Sequence, residues 1–433
     1  MKNLFKAENS KLNKAENSKL ISFLGKKSHL ISYLIADVAL VCAVLVGYHT
    51  DFSWLVFILI LLTLLSSIVF CKKYNNIGVN INRMLIGAMF IFSSFLKGVD
   101  PLGTKYKMQD YFLAYKLEWM NDAALVLAVI MILAEFIVGI CLLVNVLPRL
   151  ATLGATLLML FFTTITYFDA KYNLVPDCGC FGTAIKMSNW QTFFKNLVID
   201  AVLIPVIANN KLLKNRLLTY IGQWVAATVL MIAFLWFQIY NIRHLPVIDF
   251  MDWKVGRDMS ALRYDPGEIY VTYQNNQTGE LQEFKTPNYP WNDTVWMKEW
   301  SWVSTRTEGG SASLGFEILD AEGEGNEPTK RLFSTENLYV FVAPYIQEFS
   351  EKDFENCRKM IEIIEKNGYN HMWITAELPE YIEEISEQYP MFYEVYFGDE
   401  LELKTMVRSN PGLMLIDKGV IKNKWSRIDF PIE

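Results

Sequence analysis

Residues 123–145 read AALVLAVIMILAEFIVGICLLVN, and this stretch decides the class of the fold. As an α-helix it would rise about 35 Å, which is enough to cross the hydrocarbon core of a bilayer. Glu135 is its only charged residue. The stretch therefore predicts a transmembrane helix rather than a buried helix of a soluble protein.

Six more apolar stretches surround this one and follow one another too closely to be core helices of a soluble domain. Together they predict seven spans, at residues 29–48, 53–71, 82–97, 123–145, 150–168, 191–209 and 217–239. The first span is too long for a signal peptide and another span follows directly, so we expect it to stay attached. The sequence thus predicts a multi-pass membrane bundle in contact with the lipid bilayer.

Charge divides the chain into two parts. Residues 1–240 hold 21 Lys and Arg against 12 Asp and Glu, whereas residues 241–433 hold 19 against 34. Because basic loops stay in the cytoplasm, the seven lysines before Ser28 place the N-terminus there. Seven spans then put the loop at 177–182 and the whole C-terminal part on the outer side, which is the periplasm for a bacterial inner-membrane protein.

The loop after the third span conflicts with this orientation, because we place it outside although it carries Lys105, Lys107 and Lys116. Near the ends of the third span itself, Arg83 and Lys97 are expected to extend to the membrane surfaces and to need no special role.

Three acids fall near the middle of predicted spans: Asp37, Glu135 and Asp200. A charge is costly there, so such residues commonly line a cavity and take part in function, for example as proton relays. Alternatively, each is protonated or hydrogen-bonded and only tightens helix packing. The candidate partners for that second role are Thr163, Thr164, Thr166 and Tyr167.

The loop Asp177-Cys178-Gly179-Cys180-Phe181-Gly182 places two thiols one residue apart beside the membrane helices. A disulfide in this spacing closes a small strained ring, and strain makes such a bond labile. The pair is therefore either a thiol–disulfide exchange centre or a plain clip. In exchange, one cysteine attacks and the other resolves, Gly179 allows the tight geometry, and Lys186 favours the thiolate while Asp177 opposes it. Two thiols alone do not complete a metal site, so we expect no metal.

Residues 82–87 (NRMLIG) and 92–103 (FSSFLKGVDPLG) resemble the opening helix of DoxX-like membrane proteins. With the cysteine loop they are similar to the branch that includes the methylamine utilisation protein MauE. The resemblance covers about residues 82–210, a four-helix unit. It implies a role in disulfide formation or in the redox state of envelope proteins. It also implies functional positions at Cys178, Cys180 and Glu135, and at Lys97 and Asp100.

The C-terminal part reads as a soluble α/β domain. Residues 268–273 and 280–284 predict a hairpin, the tryptophan-rich strip at 291–302 predicts another strand pair, and 321–330 predict a loop. Strands and helices then follow in the order strand, helix, strand, helix, strand, strand, at residues 338–344, 351–367, 371–375, 378–388, 412–417 and 420–425.

Residues 316–323, 338–344 and 410–419 resemble a thioredoxin-like fold of the peroxiredoxin kind, in which Pro411 would be a cis proline. Only the framework is similar. Where the redox cysteine should stand, residues 344–350 read PYIQEFS. Cys357 comes too late, inside a helix, and is expected to be a buried structural thiol. The resemblance therefore implies a domain that has lost its own redox centre.

These observations predict five regions: a basic cytoplasmic arm (1–28), two extra spans (29–81), the DoxX-like unit (82–210), a last span (211–240) and a periplasmic thioredoxin-like domain (241–433). The leading hypothesis is thiol–disulfide exchange with envelope thiol proteins or a redox partner. The alternatives are a non-enzymatic scaffold that binds envelope proteins and, with less support, a small-molecule transporter. No cofactor is evident, although a quinone or a partner thiol would have to regenerate the cysteine pair. The acidic outer part argues against nucleic acid.

Overall fold

The structure is a computed structural model of the full chain. It describes residues 76–432 apart from 176–178, 186, 214–217, 261–267, 286–289, 291–295, 309–315 and 324. The described residues divide into two compact units. The first runs to Ile242 and includes Pro246–Ile248, and the second comprises Arg243–Leu245 and the residues from Asp249 onward.

The first unit is helical. Its described helices are α1 (Asn76–Val99), α2 (Pro101–Ala114), α3 (Ala124–Leu143), α4 (Pro148–Tyr172), α5 (Asn189–Ala208) and α6 (Tyr220–Arg243), with short 3-10 turns at Glu118–Ala123 and Asn210–Leu212. All except α2 are long and apolar enough to cross a membrane. These five helices confirm the last five predicted spans, whereas the spans predicted at 29–48 and 53–71 lie outside the described residues.

Two glycines set the distance between α1 and α3, which form the closest helix pair of the bundle. A Cβ atom on Gly139 would lie 2.9 Å from the backbone nitrogen of Ile91, and one on Gly87 would lie 2.7 Å from that of Leu143. Small residues let helix backbones approach in this way, which favours association in lipid. Helices α1 and α3 therefore pack closely along Gly87 and Gly139, and we call this contact the α1–α3 seam.

Polar side chains tie the helices together where they are buried. The Asn82 amide donates to the Val202 carbonyl of α5 (3.1 Å), and the Arg83 guanidinium donates to the Leu143 carbonyl at the end of α3 (3.0 Å). The expectation that Arg83 extends to the membrane surface is wrong, because its side chain is buried. Its guanidinium instead satisfies a carbonyl at the helix C-terminus, where the dipole favours a cation.

The lysine-rich segment after α1 is a helix rather than the predicted loop. Pro101 occupies the first turn of α2, and the Asp100 carboxylate accepts from the Gly103 backbone nitrogen (2.9 Å) as N-cap. Lys105 and Lys107 lie on this helix. The prediction missed it because the segment is short and has little periodic hydrophobicity.

The second unit is built on two sheets. The described strands are β1 (Glu268–Asn275), β2 (Leu281–Lys285), β3 (Trp300–Glu308), β4 (Ile318–Leu319), β5 (Leu338–Ala343), β6 (His371–Thr375), β7 (Val395–Gly398), β8 (Gly412–Asp417) and β9 (Val420–Ser426). Its helices are α7 (Trp296–Glu299), α8 (Asn326–Ser334), α9 (Glu351–Lys366), α10 (Pro379–Gln388) and α11 (Glu400–Met406), with a 3-10 turn at Ile346–Glu348.

The larger sheet has the order β4-β7-β6-β5-β8-β9. Strands β5, β6 and β7 are parallel, whereas β8 and β9 return antiparallel, and β4 pairs antiparallel with β7. Buried aliphatic and aromatic side chains cover both faces, including Leu338 and Met414 on one face and Phe341, Trp373 and Leu413 on the other. Burial on both faces explains why β5 reads as an unbroken apolar run.

Most predicted elements of this unit are confirmed. The hairpin forms between β1 and β2, and the six-element series from β5 to β9 follows the predicted order. The Asn410–Pro411 peptide is cis, as predicted. Two predictions are wrong in part, because α8 begins within the expected loop at 321–330 and the series also contains β7 and α11.

The tryptophan-rich strip at 291–302 forms helix α7 and strand β3, and β3 pairs with β1 in the order β2-β1-β3. Trp296 and Trp300 stack with ring centroids 5.7 Å apart, while Trp291 lies outside the described residues. The strip therefore supplies one strand rather than a pair of its own.

The α1–α3 seam is tested by Gly139→Ala. We expect the added methyl to clash with the Ile91 backbone and to lower the free energy of unfolding by about 1–3 kcal/mol, the usual cost of overpacking. Gly222→Ala is the matched control, because Gly222 lies in the first turn of α6 and its nearest neighbour is the Thr219 hydroxyl at 3.2 Å. Thermal unfolding of the full chain in detergent measures both, and equal melting temperatures would contradict the proposed seam.

Candidate functional site

The cysteine loop joins α4 to α5 and is described at residues 179–185. Gly179 and Gly182 both have positive φ angles (61° and 60°), and the Gly182 nitrogen donates to the Gly179 carbonyl (2.9 Å). Phe181 and Ile185 form an antiparallel bridge. Glycine is needed at both turns because other residues rarely adopt this conformation, and Cys180 is thereby held between two fixed points.

Contacts with α1 fix the position of Cys180. The Ser93 hydroxyl donates to the Cys180 carbonyl (2.8 Å), and Phe181 is buried with its ring 5.7 Å from that of Phe92, edge to face. Gly182 lies against the backbone of Lys97, where a Cβ would be 3.6 Å from the Lys97 Cα. The loop is therefore seated on the last two turns of α1, with Cys180 partly exposed.

Asp100 links the same loop to α2. One carboxylate oxygen caps α2 through the Gly103 nitrogen, and the other accepts from the Thr183 hydroxyl (3.1 Å). Gly103 is required here, since a Cβ on it would lie 2.4 Å from the Asp100 carboxylate. The side chain of Asp100 is buried, so both of its contacts are shielded from solvent.

Lys97 and Glu135 form a buried ion pair between α1 and α3, with both side chains less than 5% exposed. The expectation that Lys97 extends to the membrane surface is wrong. Burying either charge alone in an apolar interior is costly, and direct contact between opposite charges lowers that cost. The Lys97 ammonium and the Glu135 carboxylate therefore pair with each other. The alternative in which Glu135 bonds to a hydroxyl of α4 is not what the structure shows.

A cavity of about 610 Å³ lies among α1 to α5. Its walls are mostly methionine, leucine, isoleucine and phenylalanine side chains from these helices. Cys180 lines it, as do both members of the Lys97–Glu135 pair. Of the residues implied by the family resemblance, Lys97, Glu135 and Cys180 thus line one cavity, whereas Asp100 does not line it and Cys178 lies outside the described residues.

Residues 75–208 match the protein family described as Methylamine utilisation protein MauE. No curated protein and no solved structure matches the chain. The match spans α1 to α5 and hence the whole cavity and the cysteine loop, which we refer to as the MauE-like region. Together with the five apolar helices, it identifies a membrane protein.

Lys195 is a residue of the MauE-like region that sequence reasoning missed. It lies on α5, its side chain is buried, and its ammonium sits 4.5 Å from the centre of the Phe181 ring. Within the described residues it makes no salt bridge, although it lines the cavity next to Cys180. A lysine in the first half of a predicted span is a signal that could have identified it.

Asp200 lies on α5 but does not line the cavity. The Thr163 hydroxyl of α4 donates to its carboxylate (2.8 Å), and one helical turn away the Asn196 amide donates to the Thr166 hydroxyl (3.1 Å). These contacts agree with the alternative in which Asp200 tightens helix packing. The third acid, Asp37, lies outside the described residues, as do Asp177, Cys178 and Lys186.

The other described cysteines are buried. Cys141 lies in α3 and Cys357 in α9, each with at most 3% of its surface exposed. Burial raises the pKa of the Cys357 thiol well above its ordinary value, so little reactive thiolate forms at neutral pH. Within the described residues, no cluster of three or more His, Cys, Asp or Glu side chains has the geometry to hold a metal.

Alkylation should separate these thiols. In the full chain with Cys178→Ser, reduced and folded in detergent, we expect maleimide to modify Cys180 at least about a hundred times faster than Cys357, because Cys180 is partly exposed whereas burial shields the Cys357 thiol and raises its pKa. Peptide mass spectrometry gives both rates, and modification of Cys357 should appear only after denaturation. Equal rates in the folded chain would contradict the described burial.

A double-mutant cycle tests the buried ion pair. Lys97→Met and Glu135→Gln should each lower the free energy of unfolding by about 3–5 kcal/mol, since each leaves one buried charge without its partner. The double variant should lose much less than the sum of the two. Lys171→Met is the control, because Lys171 is an exposed residue at the end of α4. Strictly additive losses would show that the two side chains do not interact.

Proposed function

We propose that this protein exchanges disulfides with other proteins through the Cys178/Cys180 pair. The observation that carries the proposal is the position of Cys180 at a cavity that also holds the Lys97–Glu135 pair. A permanent clip would need no such surroundings, whereas exchange chemistry needs a thiol that a partner can reach, and Cys180 is partly exposed. Residues 75–208, which match the MauE family, include both cysteines and both members of the ion pair.

The exchange step is written for a client dithiol that becomes oxidised. A client thiolate attacks one sulfur of the Cys178–Cys180 disulfide, the sulfur–sulfur bond breaks, and a mixed disulfide forms as the other cysteine leaves as a thiolate. The second client thiolate then attacks the mixed disulfide and releases the reduced pair. The client gains one disulfide and loses two protons and two electrons, and the cysteine pair gains both, so that it ends as two thiols. Gly179 would allow the tight ring, while Lys186 would favour and Asp177 oppose the thiolate.

The proposed setting is a bacterial inner membrane with the N-terminus in the cytoplasm. Support comes from the lysines of residues 1–28 and from the contrast in charge between the two parts of the chain. In this topology the cysteine loop and the acidic C-terminal domain (241–433) both face the periplasm. Envelope proteins with free or mispaired thiols are the clients that such a location would supply.

The C-terminal unit is proposed to be a thioredoxin-like domain that binds these clients. Its four strands β6-β5-β8-β9 and the cis peptide before Pro411 support this interpretation. The Asn410 amide donates to the Tyr345 carbonyl (2.7 Å), so the cis-proline loop is attached to the segment where a redox motif would stand. That segment, 344–350, has no cysteine, which leaves peptide binding as the role of the framework.

A scaffold function is the second candidate, and it has its own supporting observation. Both the absence of cysteine from residues 344–350 and the burial of Cys357 leave the second unit without a described reactive thiol. In a scaffold, the domain would bind envelope proteins and the cysteine loop would only brace the bundle. The two functions differ in whether the thiols themselves are needed.

Thiol trapping in membranes distinguishes the two functions. We expect Cys178→Ser or Cys180→Ser, each expressed as full chain, to accumulate a mixed disulfide with envelope proteins, because the remaining thiolate attacks a client disulfide in the reverse of the written step and the resolving thiol is missing. Acid quenching, alkylation and non-reducing electrophoresis detect the adduct. Cys357→Ser is the matched control and should trap nothing, since its thiol is buried.

A scaffold function predicts that neither single variant forms a mixed disulfide with an envelope protein. If neither single variant ever holds a partner, and if cells carrying the Cys178→Ser/Cys180→Ser double variant keep normal envelope disulfides, the exchange function is wrong and the scaffold is retained.

A further inference from the structure

We infer that the cavity in the MauE-like region binds a membrane-soluble quinone, which takes up the electrons that the cysteine pair acquires from its clients. This inference deepens the proposed exchange function and rests on it for the source of electrons. The residues of the binding site all lie in the described part of the chain, and Cys180 lines the cavity, whereas Cys178, its partner in the redox step, lies outside the described residues.

The cavity has the size and lining of a site for an apolar ligand. Its volume of about 610 Å³ lies within the usual range for small-molecule and cofactor pockets, which is roughly 300–1,000 Å³. Methionine is frequent on its walls, at Met89, Met108, Met120, Met131 and Met159. Such walls favour a ligand that is mainly apolar and is uncharged before it is reduced. They suit a quinone ring with an isoprenoid tail.

Two lining residues show how such a molecule would enter. Ile130 on α3 and Phe161 on α4 contribute to the cavity wall, yet they are 56% and 52% exposed on the bundle surface. Both belong to helices with the length and composition of membrane spans. Because these side chains belong both to the cavity wall and to the exposed apolar surface of spanning helices, we expect a quinone to enter between them from the hydrocarbon phase.

Thr104 provides a hydrogen-bond donor that the protein leaves unused. Its side chain is 5% exposed and lines the cavity, and within the described residues its hydroxyl has no hydrogen-bond partner. A buried polar group without a partner is uncommon in native proteins and calls for an occupant. A quinone carbonyl is an acceptor that the Thr104 hydroxyl can satisfy.

Lys195 provides a cation where reduction would create negative charge. Its buried ammonium lies over the Phe181 ring beside Cys180, and no acid contacts it within the described residues. An uncompensated cation in an apolar interior is costly, so a ligand that carries partial negative charge is favoured there. The oxygens of a quinone become more negative as electrons arrive, and Lys195 would stabilise that change.

The electron balance closes with the quinone alone. The reduced pair loses the two protons of its thiols and two electrons, and one sulfur–sulfur bond forms. The quinone accepts two electrons and two protons, and its two carbonyl oxygens become hydroxyls. The products are the Cys178–Cys180 disulfide and a hydroquinone, with no further oxidant or reductant.

A stopped-flow assay on the full chain tests this step. Protein purified in detergent and reduced at the cysteine pair is mixed with a short-tailed benzoquinone, and the loss of quinone absorbance is followed. We expect one quinone to be reduced per cysteine pair. The Cys178→Ser/Cys180→Ser variant should bind the same quinone in equilibrium dialysis but reduce none, which separates binding from chemistry.

Ala134→Phe places a large ring in the cavity, because Ala134 lines it on α3. We expect quinone affinity to fall at least about tenfold, as an obstructed apolar pocket discriminates by that order. Ala233→Phe is the matched control, since Ala233 is exposed on α6 and lies away from the cavity.

Lys195→Met should slow quinone reduction more than it weakens quinone binding, because the positive charge of Lys195 matters most as the quinone oxygens become negative.

The outcomes are distinguishable. If client exchange by the pre-oxidised protein persists while quinone neither binds nor is reduced, this inference is overturned and the proposed function stands. If quinone binds and Ala134→Phe blocks it while clients are never oxidised, the site stands and the proposed function fails. Equal quinone binding by Ala134→Phe and Ala233→Phe overturns the site. Equal competition by dodecanoate, which has a tail but no redox head, overturns the choice of quinone.

Discussion

The buried contact between Lys97 and Glu135 is the constraint on which the membrane unit depends. Neither charge is tolerable alone in an apolar interior, so α1 and α3 must meet at this height and in this rotation. The Gly87 and Gly139 contacts lie further along the same seam and allow the two backbones to approach. When these helices are joined, the Ser93 hydroxyl and the Lys97 backbone near the end of α1 contact the cysteine loop. The position of Cys180 therefore depends on the Lys97–Glu135 ion pair that joins α1 and α3.

The cavity follows from the same arrangement. Five helices meet around it, but one wall is closed by a short loop instead of a helix, and glycines at 179 and 182 keep that loop compact. On the loop side, the Lys195 ammonium lies over the ring of Phe181, the residue that follows Cys180. A mostly apolar volume with a small number of polar groups resembles many cofactor pockets, in which such groups set the orientation of a ligand.

Much of this fold was predictable, because long apolar runs and strand periodicity are local signals. The five described spans follow from them directly, and so does the series from β5 to β9 apart from β7 and α11. Local signals could not reveal α2, whose pattern is weak, or the partners of Lys97 and Arg83, because those pairings join residues that lie 38 and 60 positions apart along the chain. The same limit applies to the site: Cys180 and Glu135 could be identified by residue type, whereas Ser93, Thr104 and Lys195 acquire meaning only when the helices assemble.

Asp100 has a further consequence. A single buried carboxylate both caps α2 and binds Thr183 of the cysteine loop, so neither element can shift without straining the attachment of the other. Exposed apolar side chains lie at the end of this helix and just after it, among them Leu113, Leu117 and Trp119. A displacement of α2 would therefore be transmitted to Thr183 in the cysteine loop through the two hydrogen bonds of the Asp100 carboxylate.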